Sequence, residues 1–189
     1  MLKNIIRKKI IRLRKKKFKT KYKISIKKII DILKLEKNKK LVFGGYFTSN
    51  YEIDCLSILE QLQNKGFKTS LPVIKKNKQM DFYLYKKFDP LIINQYGIPE
   101  PNPINLVLPD VIFVPLVAYD KFKFRIGYGG GYYDRYLSKV VKKKNIKTIG
   151  FAFSFQKIQK VPTNKFDKKL DLILNEQSVL IWEFFFWVI

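Results

Sequence analysis

The residues best equipped for chemistry sit together in one stretch, Arg125-Ile126-Gly127-Tyr128-Gly129-Gly130-Gly131-Tyr132-Tyr133-Asp134-Arg135-Tyr136-Leu137. Glycines at 127, 129, 130 and 131 let the backbone come close to a ligand and take up left-handed angles. The pattern that follows predicts a helix over Tyr132 to Lys144, whose free N–H groups and positive dipole end would face the loop and suit phosphate. Arg125 adds a forked positive charge, and Asp134 a carboxylate where a magnesium ion would sit beside phosphates. The glycines alone establish only a turn, and Asp134 is also the kind of acid a first helical turn favours. Neither the Gly-Lys-Ser/Thr ending of a P-loop nor the Gly-x-Gly-x-x-Gly spacing of a dinucleotide site is present.

What is missing narrows the chemistry. The chain has no histidine, which excludes Ser-His and Cys-His catalysis, and one cysteine, Cys55, which excludes an intrachain disulfide framework and an ordinary structural zinc site. A lone cysteine fits a reducing cytoplasm. Any metal must be a hard ion on carboxylate oxygen, with magnesium the natural choice. The 39 Lys and Arg against 15 Asp and Glu give a net charge of +24, a field that attracts polyanions. The lysines are spread along the chain rather than gathered in one arm, so the charge reads first as composition. A basic nucleic-acid-binding protein without catalysis is the alternative. No apolar run is long enough to span a bilayer; the tail Ile181 to Ile189 is short and carries Glu183. Met1 to Phe18 is basic and amphipathic without a signal peptide's continuous apolar core.

Several elements must position the glycine stretch. Leu2, Ile5, Ile6, Ile10 and Leu13 predict a helix over residues 2–17, and a second is expected over Ile24 to Leu35. Lys40 to Phe47 reads as a strand. Ser49 and Glu52 have capping-box spacing, so a third helix is expected from there, with Ile53, Leu56, Leu59 and Leu62 as its apolar face and Gly66 as its stop. Phe67 to Ile74, Met80 to Tyr85, Asp110 to Val114, Lys147 to Phe153 and Leu170 to Leu174 read as strands. Asn94 to Asn105, with Gly97, Pro99, Pro101 and Pro103, reads as a loop. The aromatic tail Trp182 to Trp187 reads as an edge strand or lid. Helices alternating with apolar strands imply a layered α/β domain with a mostly parallel sheet, and no linker divides the chain, so residues 1–189 are expected to form one domain.

The full string Arg-x-Gly-Tyr-Gly-Gly-Gly-Tyr-Tyr-Asp-Arg resembles the signature of the 5-formyltetrahydrofolate cyclo-ligase (5,10-methenyltetrahydrofolate synthetase) family. Asp110 to Asp120, Tyr96-Gly97-Ile98-Pro99-Glu100-Pro101, Gly150 to Gln156, Pro162 and Asp167 to Glu176 match that family in order, so the resemblance covers about residues 3–180. It implies a three-layer α/β sandwich similar to the sugar-phosphate isomerase/CoA-transferase group. It also implies an ATP- and magnesium-dependent conversion of 5-formyltetrahydrofolate to 5,10-methenyltetrahydrofolate, with release of ADP and phosphate.

Residue by residue, the resemblance carries ATP contacts onto Lys3, Arg7, Arg125, Gly127, Tyr128, Gly129, Gly130, Gly131, Tyr132 and Tyr133. Lys8 with Arg12 is a rival register for the first pair. Folate contacts fall on Phe47, Glu52, Tyr128, Gly129, Gly130, Gly131 and Tyr132, and magnesium on Asp134 and Asp171. Glu52 is open to a second reading as a mere capping partner of Ser49, and Met80, Phe82 and Tyr85 are either pocket wall or core. Tyr46-Phe47-Thr48 departs from the Tyr-Tyr-Pro common in bacterial members. Arg125 and Asp134 are the expected catalytic pair. The expected partners are ATP and the folate, whose polyglutamate tail the basic surface would favour. No dedicated nucleic acid or membrane partner is expected, and the protein is expected to be a cytoplasmic monomer.

Overall fold

A computed structural model describes residues 2–18, 24–34, 40–140 and 144–180. Among them an eight-stranded mixed sheet forms the frame. Its strands are β1 (Val42–Gly44), β2 (Lys68–Lys75), β3 (Gln79–Leu84), β6 (Leu106–Val107), β7 (Val111–Pro115), β10 (Lys147–Phe151), β11 (Leu172–Leu174) and β12 (Val179–Leu180). They run in the order β12-β11-β10-β7-β1-β2-β3-β6. The five central strands are parallel, while β12, β3 and β6 pair antiparallel at the two edges. The expected mostly parallel sheet is thus mixed. The tight link between β2 and β3, closed by a short 3-10 turn at Lys76–Lys78, allows only an antiparallel partner. Two small ribbons complete the strands: β4 (Leu91–Ile93) with β5 (Pro99–Pro101), and β8 (Ala118–Tyr119) with β9 (Arg125–Ile126).

The described residues include four helices, α1 (Leu2–Lys17), α2 (Ile26–Leu33), α3 (Cys55–Asn64) and α4 (Tyr132–Val140), of which α2 and α3 cover one face of the sheet and α4 the other. Strand residues alternate between two buried clusters, as the two-residue period of a strand requires. Val111 and Phe113 join α2 and α3 residues such as Ile29, Ile58 and Leu62 on one side. Ile112 and Val114 join Tyr136, Leu137 and Val140 of α4 on the other. On the first side Phe43, Phe113 and Phe151 stack across three neighbouring strands, with ring centroids 5.8 and 4.6 Å apart. A third, smaller cluster seats α1 through Ile10 against Val117, Ala118, Ile126 and Val161, on the ribbon that leads into the glycine stretch.

Several expected boundaries move. β1 covers only part of Lys40 to Phe47: after Gly44 the Gly45 N–H bonds Ser70 O at 2.9 Å, and the chain leaves the sheet. The third helix begins at Cys55 rather than Ser49. Asn50 and Tyr51 are both left-handed (φ 49° and 60°), which no α-helix accommodates, and Asp54 is the true N-cap, accepting from Ser57 N at 3.1 Å. The loop expected over Asn94 to Asn105 contains β5, whose prolines are tolerated because that ribbon is an edge. The second helix ends at Leu33, where Lys34 turns left-handed (φ 51°). Lys147 to Phe153 and Leu170 to Leu174 shorten to β10 and β11. The tail Trp182 to Trp187 and residues 141–143 lie outside the described residues.

Candidate functional site

The site is assembled where α1, the segment after β1, the glycine stretch and the segment 167–171 converge. β9 delivers Arg125 at a buried position, and the glycines carry the chain across to the start of α4. Gly129 and Gly131 take φ angles of 106° and 68°, conformations that a residue with a Cβ resists. A Cβ on Gly129 would meet the Arg7 guanidinium carbon at 3.4 Å, and one on Gly131 would meet Arg135 Nη1 at 2.7 Å. Arg135 braces the outside of the turn, donating to Gly130 O at 2.6 Å and Lys78 O at 2.9 Å while lying over the Tyr132 ring. The Tyr132 hydroxyl meets that of Tyr96, from the β4–β5 ribbon, at 3.0 Å.

Arg125 holds Asp134 through an Nη2–Oδ1 ion pair of 2.9 Å and donates to Lys168 O at 2.7 Å. The same Asp134 oxygen accepts from Lys168 N at 3.0 Å. Segment 167–171 is therefore strapped to the glycine stretch. Lys3 reaches Asp167 at 2.6 Å, and the buried Lys123 donates to Asp171 O at 2.8 Å. Asp171 spends one carboxylate oxygen on Thr148, accepting from its N–H and its hydroxyl at 2.7 Å each. Asp134 and Asp171 thus each have one oxygen committed to the protein. No group of three or more acidic, histidine or cysteine side chains that could hold a metal occurs among the described residues. Carboxylate oxygen is the donor type a hard ion such as magnesium takes, and such an ion would complete its shell with water and phosphate oxygen.

Lys3 and Arg7 share a face of α1 and both point to this assembly; Arg7 Nε donates to Gly127 O at 2.8 Å. Lys8 and Arg12, the rival register, are exposed. One turn beyond Ile10 the same face presents Arg14, which the sequence reading did not single out. It is 1% exposed, donates to Leu116 O at 3.3 Å and to the Tyr128 hydroxyl, and lies over the Tyr128 ring. Its signal was the spacing Lys3, Arg7, Ile10, Arg14. That stripe was hard to see because basic residues also occupy the other faces of the helix.

Glu52 is buried, at 5% exposure. Its Oε1 accepts from Tyr128 at 2.7 Å, and its Oε2 accepts from Ser49 N at 3.0 Å and the Ser49 hydroxyl at 3.4 Å. The Ser49–Glu52 pairing expected of a cap exists, but it closes a tight turn ahead of α3. Burial pushes the Glu52 carboxyl above its ordinary value, while the Tyr128 hydrogen bond, the Arg14 charge and Ser49 pull it back. Burial likewise raises the Tyr128, Tyr133 and Tyr46 hydroxyls and the Cys55 thiol. Phe47 is half-buried at the start of the same segment. Met80 and Phe82 belong to the core beneath α4, and Tyr85 packs partly buried against the other cluster. Among the described residues, the buried side-chain nitrogen and oxygen atoms without a hydrogen-bond partner are Arg14 Nε and the Tyr133 hydroxyl. Both belong to this assembly.

The sequence profile of the 5-formyltetrahydrofolate cyclo-ligase family matches residues 2–176. The chain belongs to that family. It is 35% identical over 136 residues to the 5-formyltetrahydrofolate cyclo-ligase of Haemophilus influenzae, covering 68% of this chain and 72% of that one. With the Escherichia coli K12 cyclo-ligase the identity is 33% over 138 residues, covering 69% and 75%. Among solved structures, the 5,10-methenyltetrahydrofolate synthetase of Aquifex aeolicus superposes with a TM-score of 0.72 at 27% identity, covering 95% of this chain and 92% of that one. The synthetase of Mycoplasma pneumoniae gives 0.67 at 25% identity, covering 94% and 100%. Within the cyclo-ligase family frame, the mixed sheet and its covering helices are the shared architecture.

Proposed function

We infer that this assembly performs the cyclo-ligase reaction, the ATP-dependent conversion of 5-formyltetrahydrofolate to 5,10-methenyltetrahydrofolate. The observation that carries the reading is the position of Tyr128. It belongs to the glycine stretch suited to phosphate, yet its hydroxyl ends on the buried Glu52, so a phosphate cradle and an acceptor for a pterin's N–H edge share one wall. Lys3, Arg7 and the stretch Arg125 to Tyr133 take the nucleotide in this reading. Phe47, Glu52 and Tyr128 to Tyr132 take the folate.

The chemistry needs no nucleophilic side chain. The formyl oxygen attacks the γ-phosphorus, forming an O–P bond as the bond to ADP breaks. N10 then attacks the activated carbon and loses its proton, and the C–O bond breaks to release phosphate. The protein holds the two reactants in line and offsets charge on the moving phosphoryl group with loop N–H groups and nearby cations. Arg125 adds positive charge at the nucleotide end of the site and also fixes Asp134 and Lys168. Tyr132, Tyr133 and Phe47 keep water from the activated carbon. Asp134 and Asp171 would hold a magnesium ion, which supplies charge neutralisation on the phosphates when bound.

The finer assignments belong to the same reading: a single domain over residues 1–189, acting as a cytoplasmic monomer. Its fold falls with the sugar-phosphate isomerase/CoA-transferase group, and polyglutamylated folates are favoured by the +24 surface. The test is the absorbance of methenyltetrahydrofolate with purified protein, ATP, magnesium and 5-formyltetrahydrofolate. A rise that requires all components is expected, and no rise from folded protein overturns the assignment.

A further inference from the structure

Arg14 brings a full positive charge into the interior, and among the described residues no carboxylate lies within ion-pair reach of it. If its only task were to fill space, an apolar side chain of similar length would do so without the cost of desolvating a guanidinium. Its hydrogen bonds indicate a different task. A guanidinium has donors and no acceptor, so the Tyr128 oxygen must accept from Arg14. The one phenolic hydrogen is then free to point at Glu52 Oε1, 2.7 Å away. The other Glu52 oxygen faces an N–H and a hydroxyl from Ser49. The carboxyl is thus surrounded by donors, the arrangement that suits its ionised form.

We propose that Arg14 is a positioning residue that orients the Tyr128 hydroxyl onto Glu52 and so holds Glu52 as an ionised acceptor for the N–H edge of the folate. The proposal rests on the reading of Glu52 as a substrate contact. Three other titratable groups face Glu52: Tyr46 beside it, Cys55 at the start of α3, and Tyr133 in the first turn of α4. Burial keeps all three neutral, so they add no negative charge beside Glu52, and a phenol or thiol has no positive form to offer. Arg14 supplies it from α1, at one remove.

The test compares the native sequence with Arg14→Met, Arg14→Lys and Glu52→Gln, taking kcat and KM for both substrates between about pH 5 and pH 8, where a displaced carboxyl titrates. In Arg14→Met the KM for 5-formyltetrahydrofolate is expected to begin its climb on the acid side about one pH unit higher than in the native protein, a tenfold rise at the lowest pH, with the KM for ATP unchanged. Arg14→Lys, which keeps the charge and loses the fork, should shift it less. A KM raised by the same factor at every pH, or a fall in kcat alone, overturns the proposal. Glu52→Gln should raise the folate KM at every pH; if it does not, the reading of Glu52 as a substrate contact fails. The proposal is then still read directly, from the infrared carboxylate band that Glu52→Gln abolishes. Its protonation midpoint should move up in Arg14→Met, and an unmoved midpoint overturns the proposal. Should Arg14→Met not fold, Arg14→Lys and Tyr128→Phe carry the same infrared measurement, with the same outcome required.

Discussion

Glu52 occupies a position that works against the fold. Burial raises its carboxyl, so the native state holds that proton more tightly than the unfolded chain does. The group's contribution to stability is therefore fully present below its unfolded value and is lost as pH rises through the raised native one. Glutamine does not titrate, so the stability of Glu52→Gln minus that of the native protein should grow with pH between about 4 and 8. Urea unfolding of both proteins across that range measures it; a gap that shrinks with pH would mean that the Tyr128 and Arg14 contacts outweigh burial. Cys55 offers a simpler case. Its thiol is wholly buried and pushed up by desolvation, with Asp54 and Glu52 adding to the effect. It should resist alkylation in the native protein and react within minutes once denaturant is added, a difference that mass spectrometry reads directly.

At the scale of elements, the turn between β9 and α4 is held by backbone angles as much as by contacts. Gly131→Ala forces a Cβ into a left-handed residue and against Arg135 Nη1, whose far end can swing aside. The cost is then mainly the backbone term, about 1–2 kcal/mol. Because Arg135 would release Gly130 O, the KM for ATP should rise together with that loss; stability and kinetics measured on the same preparation show whether the two are linked. Much of this level could be read in advance. The spacing of Leu2, Ile6, Ile10 and Leu13 marked α1, and the run from Asp110 to Val114 marked the central strand. Other features had no local signature. The Ser49–Glu52 spacing is the same in a cap and in a turn, and only the left-handed Asn50 and Tyr51 decide between them. The strap from Lys168 to Arg125 and Asp134 joins residues 43 and 34 positions apart, and no periodicity encodes such a contact.

For the whole molecule, the charge of +24 sets the response to solution conditions. Repulsion among 39 basic residues acts over a Debye length of about 20 Å at 20 mM salt and about 7 Å at 200 mM. The exposed pairs Lys87–Glu60 and Lys75–Asp81–Lys139 are each worth about 0–1 kcal/mol, so screening them costs little. The melting temperature should therefore rise by a few degrees, about 2–5 °C, over that salt range, and ATP with magnesium should raise it further by mass action. A melting temperature that falls with added salt would show that attraction, not repulsion, dominates the surface.

The helix α1 has one more consequence, for the order of events during synthesis. Its contacts with the site join Lys3 to Asp167, Arg7 to Gly127 and Arg14 to Tyr128, spans of 164, 120 and 114 residues. The helix leaves the ribosome before any residue it must hold has been translated, so it is made early and seated late. Until Tyr128 emerges, Glu52 lacks the phenolic donor that links it to Arg14, and until Asp167 emerges the helix lacks its outermost anchor. A chain released before residue 167 would contain the glycine stretch in full but not the strap that closes around it.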